Sequence, residues 1–65
     1  MNSEDEKLLL THINIYGEKG YPIQKVGRGW SWGGWRSIIG TPVVYRTRKE
    51  AVASFEDYVN IIRNS

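Results

Sequence analysis

The sequence predicts an α+β fold, α-β-β-β-α in order, with a three-stranded antiparallel β-meander packed against a C-terminal α-helix and a short N-terminal helix ahead of it. Three observations lead there. Thr47 followed by Glu50 opens a segment in which Val52, Phe55, Val59 and Ile62 recur at helical spacing. Gly33-Gly34 lies between segments that tolerate extended backbone and has the form of a two-residue hairpin loop, because primed turns need positive φ. The chain has 65 residues, 40% of them apolar, which supports one core, so residues 1–65 are expected to form a single small domain.

At the N-terminus, Ser3 and Glu6 have capping-box spacing, and the acidic run Glu4-Asp5-Glu6 suits the positive end of a helix dipole. Leu9, Leu10, Ile13 and Tyr16 then recur at helical spacing up to Gly17, a residue type that commonly follows a helix end. The stretch Thr11-His12-Ile13-Asn14-Ile15-Tyr16 also alternates polar and apolar side chains, as a strand does. For residues 8–16, helix and strand both remain open at this level.

In the middle, a loop at Gly33-Gly34 pairs Trp32 with Trp35, Trp30 with Ser37 and Arg28 with Ile39. A second turn at Gly40-Thr41-Pro42 then opposes Ile39 to Val43 and Ser37 to Tyr45. Alternation sorts the strands into a core face with Val26, Trp30, Trp32, Trp35, Ile39, Val43 and Tyr45, and an open face with Lys25, Arg36 and Arg46 beside Ile38 and Val44. A slip of one residue would exchange the faces, so the map depends on that loop. The last helix is expected over roughly residues 48–63, with Ala51 and Tyr58 flanking its apolar stripe.

Catalytic chemistry is poorly provided for. With no cysteine there is neither a thiolate nucleophile nor a cysteine-based zinc site, and His12 is the only histidine. Glu56 and Asp57 are adjacent on a helix and point in different directions, which makes a poor acid-base pair. A helix N-terminus already accounts for Glu4-Asp5-Glu6 without a metal. The glycines of Gly27-Arg28-Gly29 and Gly33-Gly34 lack the Gly-Lys-Ser/Thr ending of a phosphate-binding loop. No enzyme, metal site or cofactor is expected.

Two features carry a binding function. Trp30, Trp32 and Trp35 can stack on unpaired bases, with Arg28 and Arg36 on the backbone, although a chain this small also needs such side chains to fill its core. The second is the basic set. The candidate nucleic-acid-binding residues are Lys25, Arg28, Arg36, Arg46, Arg48 and Lys49, because guanidinium groups bind phosphate in bidentate fashion and a helix N-terminus adds free N–H groups. With 9 Lys and Arg against 7 Asp and Glu, the net charge of +2 permits an anionic partner without requiring one.

The order helix, three strands, helix is similar to that of double-stranded RNA-binding domains, and Arg48-Lys49-Glu50-Ala51 resembles the basic start of their last helix, with Val52 at the third basic position. Over residues 22–63 the outline also resembles the arm-binding domains of phage-type integrases, whose sheet enters a DNA groove. Both resemblances imply nucleic-acid binding. The sequence therefore predicts a small non-enzymatic nucleic-acid-binding or regulatory protein using a basic sheet face. The alternative is a protein-binding inhibitor or adaptor module, such as a small regulator of a larger host or phage complex. Leu8-Leu9-Leu10, the longest apolar run near the start, is too short for a membrane span or signal peptide, so a soluble cytoplasmic protein is expected.

Overall fold

Thr47 caps a helix as its sequence demands: it has extended backbone and its Oγ1 accepts from Glu50 N–H at 3.2 Å. In the computed structural model, which describes residues 3–64, that helix is the last element of the chain. The order is α1 (Ser3–Tyr16), a 3-10 turn (Gly17–Gly20), β1 (Ile23–Val26), β2 (Gly29–Trp32) and α2 (Arg48–Arg63). The N-terminal alternative resolves to helix, because burying Leu9 and Ile13, one turn apart, against α2 requires helical spacing. The cap expected from the Ser3 side chain lies outside what the structure describes.

The expected three-stranded meander is not formed. The sheet of the described residues is a two-stranded antiparallel hairpin, β1 with β2, in which Ile23 faces Trp32, Gln24 faces Ser31, Lys25 faces Trp30 and Val26 faces Gly29. Its loop is Gly27-Arg28, not Gly33-Gly34. Gly27 has φ +60° and Arg28 is not left-handed, which is the pattern of a type II′ loop and matches the right-handed twist of the strands it joins.

Gly33 and Gly34 do adopt positive φ, +140° and +74°, yet they serve a crossing of the chain over itself. A Cβ on Gly33 would sit 2.5 Å from the Ile39 carbonyl oxygen and 2.7 Å from Gly40 Cα, so only glycine admits this approach. Between the crossing points, Ile38 N–H donates to Trp35 O at 2.9 Å and closes a short turn. The return segment then bonds β2 through Thr41 N–H to Trp32 O, at 3.2 Å, and through the reciprocal pair Trp30–Tyr45, at 2.8 and 2.7 Å. Pro42 has no N–H to extend the ladder. What was expected as a third strand is a single bridge, Trp30 to Tyr45 in place of Ser37 to Tyr45.

The change of register redistributes the side chains. Ile38, expected on the open face, is buried, whereas Val26, Val43 and above all Ile39, at 93% exposure, lie outside the core. The core joins Leu9 and Ile13 of α1 to Trp32, Ile38, and Phe55, Val59 and Ile62 of α2. Phe55 is fully buried, with its ring 4.8 Å from Tyr21 and 5.4 Å from Trp32, and truncating such a side chain costs about 3 to 5 kcal/mol. Trp32 Nε1 and the Tyr45 hydroxyl both donate to Ser54 Oγ, at 2.9 and 2.8 Å, which ties the hairpin and the return segment to α2. Among the described residues, no helix is long and apolar enough to cross a membrane.

Candidate nucleic-acid interface

Trp30 is the middle of a three-segment row. Lys25 faces it from β1, with Nζ 5.9 Å from the ring centroid, and Tyr45 pairs with it from the other side. Because both neighbours run antiparallel to β2, the chain leaving each of them heads for the same end of the sheet. From Lys25 it reaches the Gly27-Arg28 loop, and from Tyr45 it reaches Arg46, Thr47 and the start of α2 at Arg48-Lys49. Five of the six candidate residues, Lys25, Arg28, Arg46, Arg48 and Lys49, thus belong to this end, and all five are exposed.

Within this group, Arg48 pairs with Glu18 at 3.9 Å, with both side chains well exposed. Such a pair holds little free energy and leaves the guanidinium available. The first turn of α2 adds the positive end of its dipole. Arg36 is the exception. It lies past the other end of β2 in the Trp35–Ile38 turn, with φ 52° and its Cζ 5.2 Å from the centre of the Trp35 ring. Since Tyr45 pairs with Trp30 and not with Ser37, Arg36 and Arg46 do not face each other across neighbouring strands. The tryptophans are divided: Trp32 is core, and Trp30 and Trp35 are half-buried.

Sequence reasoning missed a groove at the far end of β2. It has a volume of about 400 Å³ and is lined by Glu6, Trp32, Ser37, Ile38, Ile39, Gly40 and Tyr58. Tyr58 stacks on Trp32, with centroids 4.9 Å apart, and donates its hydroxyl to Glu6 at 3.4 Å. Burial and then the Glu6 carboxylate hold the Tyr58 phenol above its ordinary pKa. Asp5 accepts from both the backbone N–H and the hydroxyl of Ser37, which fixes the wall of the groove to the acidic first turn of α1. No local pattern signals this end, because it is closed by Asp5 meeting Ser37 and Glu6 meeting Tyr58, far apart in the sequence.

His12 is half-buried between Tyr16 and Trp35, with ring centroids 4.8 and 5.6 Å away. No group of three or more His, Asp or Glu side chains among the described residues is placed to hold a metal ion. No protein-family model, curated protein or solved structure matches this chain.

Proposed function

We propose that the chain is a small non-enzymatic nucleic-acid-binding protein whose contact surface is the basic end formed by Lys25, Arg28, Arg46, Arg48 and Lys49. One observation carries the reading: exposed cations from three segments of chain belong to one end of the sheet, beside the half-buried Trp30. Arginine and lysine there suit phosphate oxygens, and Trp30 offers an aromatic surface next to them. A cytoplasmic location belongs to the same reading, since nucleic acid inside the cell is its partner.

The test is fluorescence anisotropy with duplex DNA, single-stranded DNA and double-stranded RNA at several salt concentrations. Binding is expected to weaken by about 0.9 log units per neutralised phosphate for each decade of salt on duplex DNA. Replacing Arg28 and Arg46 together with Gln is expected to reduce that slope by about two, and Arg36→Gln, at the other end, to leave it unchanged. Absence of binding by the wild-type chain at low salt refutes the reading. It would favour an inhibitor or adaptor role, for which the specific support is the apolar groove with Ile39 at its lip.

A further inference from the structure

Lys25, Arg28, Arg46, Arg48 and Lys49 belong to one end of the sheet and the acidic first turn of α1 to the other, where Arg36, drawn over the Trp35 ring, is the basic exception. Arg28 occupies the outer position of the two-residue loop that precedes β2, in a turn so open that a Cβ on Gly27 would meet nothing within 4 Å. The groove begins where β2 finishes, at Trp32, and the first turn of α1, Glu4-Asp5-Glu6, lies against it. A strand of four residues separates the two, so Arg28 cannot reach the groove of its own chain.

Chemically the groove suits an arginine. Its floor holds Trp32 and Ile38, 8% and 7% exposed, its lip is Ile39, and the Glu6 carboxylate stands among the lining groups. A long aliphatic stem can lie along such a surface while a planar guanidinium meets the carboxylate. We infer that the groove receives Arg28 of a second copy of this chain, giving a head-to-tail contact. The partner is chosen by charge: the end opposite the acidic groove is the basic one, and a net charge of only +2 raises little repulsion between copies. If each neighbour satisfies one contact, an arginine and a groove stay free at the ends and copies go on adding, whereas an antiparallel pair that satisfies both contacts stops at a dimer.

Sedimentation without nucleic acid, between about 10 μM and 1 mM where small interfaces become populated, tests this independently of the proposed function. Wild-type average mass is expected to rise with concentration above that of the monomer and to fall with added salt. Glu6→Lys and Arg28→Ser are each expected to remain monomeric. Mixed, they are expected to form a one-to-one dimer and stop, because one retains the arginine and the other the groove. Ile39→Ser, at a position whose exposure keeps folding out of the question, is expected to weaken wild-type association several-fold. A wild-type chain that stays monomeric throughout overturns the inference, and if it then binds a short arginine-rich peptide the occupant is a foreign basic segment. Oligomers that survive in both single variants, or a mixture that stays monomeric, also overturn it.

Discussion

Ser54→Ala removes one oxygen atom and is expected to destabilise the chain well beyond its size. Ser54 Oγ is the common acceptor for Trp32 Nε1, at 2.9 Å, and the Tyr45 hydroxyl, at 2.8 Å. Trp32 is 8% exposed, so its indole N–H has little access to replacement water, and an orphaned buried donor costs about 1 to 3 kcal/mol. Tyr45 is half-buried and can recruit water, which places its loss at the low end of that range. The sum is about 2 to 4 kcal/mol. A domain of this size holds roughly 3 to 10 kcal/mol in all, so urea unfolding followed by tryptophan fluorescence should show a large fall in midpoint. The sharper expectation concerns coupling. Tyr45→Phe should cost about 1 kcal/mol in the wild-type chain, yet be neutral or stabilising once Ser54 is Ala, because it then deletes a donor that has no acceptor. If Ser54→Ala costs less than about 0.5 kcal/mol, or Tyr45→Phe costs the same in both backgrounds, the shared-acceptor argument is wrong.

Two glycines with positive φ should respond differently to alanine. Gly40→Ala would put a Cβ 2.3 Å from the Trp32 carbonyl oxygen and 2.5 Å from Gly33 Cα, so it should cost several times more than Gly27→Ala, which meets no atom and bears only the backbone strain of about 1 to 2 kcal/mol. Equal melting temperatures would contradict the close crossing. Alkaline pH should also destabilise the fold. Tyr21 and Tyr58 are both held above the ordinary phenol value of 10.0, first by burial, then by the hydrogen bond to Glu56 for Tyr21 and the charge of Glu6 for Tyr58. The folded state thus holds these protons more tightly than the unfolded one. Their contribution is complete below pH 10 and is lost as pH rises through the folded values. Melting temperature is expected to fall above that point, less steeply in Glu6→Gln, and phenolate absorbance checks which state titrates.

What the sequence made legible was local. The stripe Val52, Phe55, Val59 and Ile62 and the Thr47 cap are each set within a few residues, and α2 begins at Arg48 as the cap requires. The middle failed because two glycine-containing dipeptides, Gly27-Arg28 and Gly33-Gly34, competed for one hairpin. Gly33-Gly34 has the stronger turn composition, but Gly27-Arg28 joins segments that can pair at once, and closing the shorter path leaves Gly33 and Gly40 to solve a steric problem that no single segment displays. Strand alternation then failed beyond Gly34, because residues 35–38 form a turn in which Trp35 and Ile38 both pack on the core while Ile39 lies outside it.

The two ends of the molecule differ in the same way. The basic end rests on two local features, the Thr47 cap, which was expected, and the Gly27-Arg28 loop, which was not. The groove depends on Asp5 meeting Ser37 across 32 residues of sequence and on Glu6 meeting Tyr58 across 52. Between those contacts Arg36 is held at φ 52°, a left-handed conformation that costs a non-glycine residue about 1 to 2 kcal/mol. No propensity scale places an arginine there. The turn persists because Asp5 anchors the next residue and the Arg36 guanidinium lies over Trp35, so long-range contacts offset a local cost. A site built in that manner is invisible to any pattern shorter than the distance between its parts, which is why the acidic first turn of α1, fully explained by its helix dipole, gave no hint that it also forms a wall of the groove.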